Sequence, residues 1–406
     1  MNGHLVLLSL DWIRHTDPRT SLGHASLLAR LAAVPGVSVA PLAYAVNDPN
    51  FSRAAVLDAV LHAVGDRGTQ VAVGVYVWNE PVVQWLLPAL RRAGFRGRIL
   101  LGGPQISYAP VGVDARYPDA DVFIRGYGED ALAAVIRSDD PSGIRGVSIR
   151  GHDRSELPAV VTLEALPSPL LTGSLPPSPF MRWETQRGCV YACSFCQHRE
   201  SGARLRNTTL STGRIAAEID RMIAADVRDI AVLDPIFHSN PAAVGILRRF
   251  SQRGYRGRLS LQSRFELVDE AFLDACEGLD VRLEFGLQTT QRAEMRAVGR
   301  MNDLEKADRV IGELHRRRMP FEVSLIYGLP EQTVASFEAS VAWCQARGVP
   351  TLKAFPLMLL RGTGLDRDRA RWGLIESDDE IPVVVESSTF TRAEWREMKA
   401  VAESLD

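Results

Sequence analysis

At 406 residues, with 46% hydrophobic and 24% charged side chains, the chain is long enough for two or three domains of ordinary globular composition. A formal net charge of −2 excludes any electrostatic reason to expect nucleic acid or a membrane surface as partner. Five cysteines, three of them within eight residues, do not make a disulfide framework. No apolar run has the length of a membrane span and the N-terminus has no signal-peptide pattern, so the expected setting is the reducing cytoplasm.

The first 150 residues alternate short apolar runs with amphipathic stretches, the pattern of parallel βα units. Strands are predicted over 4–10, 37–44, 70–78, 98–101 and 120–125, and helices over 22–33, 52–64, 81–93 and 129–137. The loops that follow the strands include 11–21, Trp78-Asn79, Gly102-Gly103-Pro104 and Gly126-Tyr127-Gly128. In an open α/β sheet that edge binds ligands, and glycine there lets the backbone approach a ring or phosphate closely. Trp12, Tyr76 and Trp78 are expected in the core rather than at a cofactor.

Residues 151–180 hold six of the chain's 23 prolines, at 158, 167, 169, 176, 177 and 179, and read as a crossing linker. A second alternating series follows. Strands are expected over 181–186, 229–234, 258–264, 281–288, 321–327 and 351–359, with helices over 212–225, 241–253, 269–277, 303–318 and 333–347. Six βα units without a closing pair suggest an incomplete barrel. The tail from 361 ends in a helix that Thr391 and Glu394 cap. The expected division is therefore 1–150, a linker 151–180, a partial barrel 181–360 and a C-terminal segment 361–406.

Directly after the first barrel strand stands Cys189-Val190-Tyr191-Ala192-Cys193-Ser194-Phe195-Cys196, a C-x3-C-x2-C spacing. Three thiolates on one loop can converge on a four-iron cluster and leave one iron without a protein ligand, where chemistry can occur. A zinc site completed by His198 is the competing reading, but no second cysteine knuckle exists. Cys276 and Cys344 lie alone in helix-like segments, as small buried hydrophobes do. In a barrel, reactive residues gather at the carboxyl ends of strands. Those ends carry Asp234-Pro235, Gln262-Ser263-Arg264, Glu284 to Gln288, Tyr327 to Pro330 and Lys353 to Pro356.

With Phe195 before its last cysteine, the motif resembles that of the radical S-adenosylmethionine (SAM) superfamily, and the whole chain resembles its class with an N-terminal cobalamin-binding domain. The resemblance implies an α/β protein: a Rossmann-like domain of cobalamin-binding type followed by a partial (β/α)6 TIM barrel. It implies that Cys189, Cys193 and Cys196 ligate a 4Fe–4S cluster whose fourth iron chelates SAM. One electron then breaks the sulfonium carbon–sulfur bond, usually to a 5′-deoxyadenosyl radical. Phe195 would pack near the adenine, which the turn Gly328-Leu329-Pro330 would contact. Arg264, Glu284 and Gln288 match positions that hold the ribose and methionyl parts, and Asp234 could accept from the SAM ammonium. Gly102, Gly103, Gly126 and Gly128 would line a cobalamin.

Two departures stand out. Asp234-Pro235 replaces the family's Gly-Gly-Glu, and the cobalt-ligating D-x-H-x-x-G is missing, with Asp11 and His15 at the wrong spacing. The expected activity is cobalamin-assisted alkylation, methylation first, of a small metabolite or peptide, with a flavodoxin- or ferredoxin-type electron donor. Two alternatives remain. One is direct transfer of a SAM fragment without cobalamin, as in the enzyme of arsinothricin biosynthesis. The other is a non-catalytic zinc or iron–sulfur module.

Overall fold

The computed structural model describes residues 3–65, 69–153, 157–198 and 206–405. The chain divides into two compact units between Ser178 and Pro179. The proline-rich stretch packs into the first unit through buried Leu163, Leu166, Leu170 and Leu175 and is no free tether. Among the described residues no helix is long and apolar enough to cross a membrane.

The first unit is a six-stranded sheet. Its strands are β1 (Gly3–Asp11), β2 (Val37–Ala45), β3 (Gln70–Gly74), β4 (Ile99–Gly102), β5 (Val122–Ile124) and β6 (Val147–Ile149). They lie in the order β2-β1-β3-β4-β5-β6, parallel except for β6 against β5. Alternation explains why the sheet buries both faces. Val6, Leu8, Val71 and Val73 feed one core, while Leu5, Leu7 and Ala72 feed the other. The strand order reverses between β1 and β3, the place where such sheets open a crevice.

Strand β3 stops four residues short of its expected end. The Asn79 side chain accepts the Tyr76 N–H at 2.8 Å and donates to Leu10 O at 2.9 Å and Gly74 O at 3.0 Å, folding 75–79 into a turn. Trp78 stacks on Tyr76 with centroids 4.6 Å apart. The short antiparallel β6 was not anticipated.

In the second unit, β7 (Phe180–Trp183) is followed by a hairpin of β8 (Gln186–Cys189) and β9 (Arg206–Thr209). Then come β10 (Asp229–Val232), β11 (Arg258–Ser263), β12 (Asp280–Gln288), β13 (Phe321–Tyr327) and β14 (Leu352–Pro356). The six long-sheet strands run parallel in chain order, β7-β10-β11-β12-β13-β14, and β14 does not return to β7. This is an open (β/α)6 barrel. On β12, Val281, Leu283, Phe285 and Leu287 are buried, while Arg282, Glu284, Gly286 and Gln288 point to the opposite, more open face. The tail adds β15 (Ile375–Glu376) paired with β16 (Val384–Glu386), then the helix Arg392–Glu403 with the expected Thr391–Glu394 capping box.

Candidate active site

The cysteine loop leaves the β8–β9 hairpin, which was not foreseen: the expected strand 181–186 breaks after Trp183. The break has a cause. Asp234, fully buried, accepts the Thr185 N–H at 2.7 Å, the Gln186 N–H at 3.2 Å and the Thr185 hydroxyl. Behind it, Asn240 donates to Thr185 Oγ1 at 2.8 Å, and Asn207 donates to Gln186 Oε1 at 2.6 Å. The expectation that Asp234 reaches a ligand is thereby corrected. Its carboxyl holds the base of the cysteine hairpin.

Burial pushes the Asp234 carboxyl up to about 7 against the pull of those donors. The folded value lies above the ordinary 3.8, so its contribution to stability is present at low pH and is lost as pH rises through about 4 to 7. Asp234→Asn, which cannot titrate there, should narrow or reverse its stability deficit relative to wild type between pH 5 and pH 8. Urea denaturation at both pH values reads this, and a deficit independent of pH would contradict it.

The loop itself is tied to two later segments. Ser194 N–H donates to Val298 O at 2.9 Å, Leu365 N–H donates to Ser194 O at 2.9 Å, and Gln197 Nε2 donates to Arg361 O at 2.7 Å. A Cβ on Gly364 would lie 2.9 Å from Ser194 Cβ, so that approach needs glycine. Within the loop, Cys196 N–H reaches Cys193 O at 3.2 Å, and His198 N–H points at Cys196 Sγ, 3.4 Å away. All five cysteines are free thiols. Burial pushes the Cys196 thiol up to about 11 and also raises Cys189, against the pull of the Tyr191 N–H and of Arg264 and Arg300. A metal centre bound here must displace protons. Among the described residues no three His, Cys, Asp or Glu side chains gather as ligands of one ion.

Two arginines flank the loop. Arg264, buried, lies over the Tyr191 ring at 3.9 Å, pairs with Glu266 at 2.8 Å and donates to Met301 O at 3.1 Å. It is thus a clamp on the loop as it stands. Arg300 was missed by sequence reasoning. Its Nη1 points at Cys193 Sγ, 3.7 Å away, its Nη2 donates to Gly286 O, and its buried Nε has no partner. A Cβ on Gly286 would come within 2.6 Å of Gln288 Nε2, so a larger residue there would push the Gln288 side chain aside, while its distance to Arg300 Nη2, 3.6 Å, is an ordinary contact. The signal available in sequence was the break Gly299-Arg300-Met301-Asn302 between two helical segments beyond a barrel strand.

Glu284 sits in mid-strand, accepting from Gln262 across β11 and β12. Gln288 ends β12 at a bulge with φ of 70°. Phe195 is partly exposed on the loop. Gly328, Leu329 and Pro330 are buried. Gln332 accepts the Gly328 and Leu329 N–H groups at 2.7 and 3.1 Å, and a Cβ on Gly328 would meet Val384 O at 3.2 Å. That glycine answers to the tail strand packed on it.

In the first unit the four glycines separate. A Cβ on Gly103 would lie 2.8 Å from Val75 O at φ of 86°, and one on Gly126 would lie 2.5 Å from Ala159 O at φ of 84°. Neighbouring backbone therefore requires both. Gly102 and Gly128 have only ordinary contacts, the nearest at 3.7 and 3.5 Å, so a Cβ would fit at either. Gly103→Ala should cost about 1–3 kcal/mol of stability through left-handed strain and overlap, whereas Gly128→Ala should be near neutral. Equal denaturation midpoints for the two variants would refute this assignment.

Residues 183–344 match the family described as the Radical SAM superfamily. The chain is 26% identical over 332 residues to the cobalamin-dependent radical SAM methyltransferase TokK of Streptomyces tokunonensis, covering 73% of this chain and 48% of that protein. It is 24% identical over 379 residues to the 2-(S-pantetheinyl)-carbapenam-3-carboxylate methyltransferase of Streptantibioticus cattleyicolor, covering 80% of this chain and 54% of that one. The chain thus spans about half the length of these curated relatives. In fold it is similar to the radical S-adenosylmethionine methyltransferase TsrM of Kitasatospora setae, solved with cobalamin and a [4Fe-4S] cluster. There the TM-score is 0.72 at 18% identity, over 98% of this chain and 82% of that one. It is also similar to the radical enzyme OxsB, solved with aqua-cobalamin and S-adenosylmethionine, with a TM-score of 0.71 at 15% identity, over 98% and 66% of the two chains.

Proposed function

We propose that this member of the radical SAM superfamily is an enzyme that cleaves SAM at a 4Fe–4S cluster and, with cobalamin, passes an alkyl group to a small-molecule or peptide substrate. Methyl is the group we favour, because both relatives are methyltransferases. The observation that carries the reading is the loop of three free thiols with the Arg300 guanidinium at Cys193 Sγ and one buried N–H of that guanidinium still open.

Cys189, Cys193 and Cys196 would hold three irons. When bound, the cluster supplies one electron for breaking the sulfonium bond, and cobalamin supplies a carrier for the methyl group. The chain's own residues do the rest. Arg300 places positive charge beside the thiolates, and its open Nε–H suits an anionic oxygen such as the SAM carboxylate. Arg264 and Tyr191 keep the loop in place. We assign Phe195 and the Gly328–Pro330 turn to the adenine and Glu284 and Gln288 to the ribose side. We assign Gly102, at the end of β4, and Gly128, beyond β5, to the cobalamin. An external flavodoxin- or ferredoxin-type donor would supply electrons.

A second reading, direct transfer of a SAM fragment without cobalamin, gains from Gly103 and Gly126 being required by packing and from the absent D-x-H-x-x-G. Anaerobic reconstitution with and without hydroxocobalamin, followed by SAM and a strong reductant, separates the two. Retained cobalt and cobalamin-dependent S-adenosylhomocysteine support alkyl transfer through cobalamin. A cobalt-free protein that forms methylthioadenosine regardless supports the second reading.

A further inference from the structure

Two segments assigned to SAM, the end of β12 at Gln288 and the turn Gly328–Pro330, are joined by a buried chain of polar side chains. Gln332, fully buried, accepts the Gly328 and Leu329 N–H groups with its side-chain oxygen. Its Nε2 donates to Ile326 O at 3.1 Å and to Glu294 Oε2 at 3.2 Å. The same Glu294 oxygen accepts the Thr289 hydroxyl at 2.5 Å. Thr289 follows Gln288 directly, and its Oγ1 accepts the Gln291 N–H at 3.0 Å. One carboxyl, on the helix Arg292–Ala297, thus ties the end of β12 to the turn after β13.

The chain is costly to bury. Glu294 and Thr289 are each 1% exposed. Burial pushes the Glu294 carboxyl above its ordinary range, against the pull of the Ser336 and Thr289 hydroxyls and the Gln332 amide. Ser336 is itself engaged in the Thr333 capping box. Glu294 Oε1 is buried with no hydrogen-bond partner among the described residues. Desolvating a carboxyl and leaving one oxygen unpaired costs free energy that a leucine in its place would not. Filling space is therefore better done by an apolar side chain. What Glu294 adds is one oxygen shared by two loops. Gln332 reaches back only to the turn beside it and shapes that turn, whereas Glu294 fixes where the turn stands relative to Gln288.

We propose that Glu294 is a positioning residue: through Gln332 and Thr289 it sets the separation between the adenine turn and the ribose end of β12, and with it the fit of the nucleoside half of SAM. This rests on the assignment of those two segments to SAM, and its test does not require turnover. The probes are SAM and L-methionine, titrated by equilibrium dialysis onto cluster-reconstituted protein without reductant. Both offer the amino and carboxylate groups expected at the open iron, and SAM alone carries the nucleoside. Glu294→Leu and Gln332→Leu should each bind SAM about tenfold more weakly, at wild-type iron content and with methionine binding unchanged. Glu294→Gln keeps an oxygen that accepts from both donors and should stay within about threefold of wild type for SAM. The proposal is overturned by unchanged SAM affinity in the folded leucine variants, by a parallel loss for methionine, or by Glu294→Gln binding SAM as weakly as Glu294→Leu. Should the leucine variants fail to fold, Thr289→Val, which removes a single hydroxyl, decides by the same comparison, with SAM about threefold weaker expected. Wild-type protein that assembles no cluster or binds no methionine would strike the proposed activity instead. Wild-type protein that binds methionine no more weakly than SAM would overturn this proposal alone.

Discussion

Alanine at Cys189, Cys193 or Cys196 is expected to give a folded protein whose iron, sulfide and SAM cleavage all fall to background. Three thiols are all the loop supplies, and a cluster ligated by two is not held against dilution. The fold should survive, because the hydrogen bonds tying the loop to Val298, Leu365 and Arg361 run through backbone and Gln197, not through sulfur. Cys276 and Cys344 are buried on the helices Glu270–Cys276 and Val334–Gln345, with thiols pushed up to about 12 by burial. Serine at either should leave iron content unchanged. Iron analysis and far-UV circular dichroism of the five anaerobically reconstituted variants decide the matter. One loop variant with full iron and turnover would remove that thiol from the set.

Arg300→Met should have the next largest effect, because it deletes both a donor to sulfur and a cation at the loop. Hydrogen bonds to charged groups contribute about 1.5–3 kcal/mol, and part of that favours the reduced, more negative cluster. With about 59 mV per tenfold for one electron, the potential should fall by several tens of millivolts. Arg300→Lys, which keeps the charge but not the fork, should lie between. An EPR-monitored potentiometric titration measures the shift. An unchanged potential at full iron content would leave Arg300 with a packing role through Gly286 O alone.

Much of this was legible in sequence because period and spacing carry it. The short apolar run at 4–10 and the alternation in 281–288 marked real strands, the absence of a closing βα pair marked the open barrel, and Thr391 and Glu394 marked a helix start. What escaped shares a different character. Asp234 stands at a strand end but turns back to the backbone of Thr185 and Gln186, and side-chain direction has no sequence signature. Gly103 and Gly126 read as ligand cradles, yet Val75 and Ala159 fill the space, through contacts set by tertiary packing. Arg300 lies 104 residues beyond the last loop cysteine, and only the fold brings it to Cys193.

That distance also bears on how the protein is made. The cysteine loop closes against residues 298 and 361–365, so its last anchor emerges 169 residues after Cys196. At roughly 5–20 residues per second of synthesis, about 8–35 s pass between the thiols and the last of these anchors. Iron delivered during that interval meets a loop that still lacks its ties to Arg361 and Leu365. Cluster loading therefore has reason to follow the docking of residues 361–365.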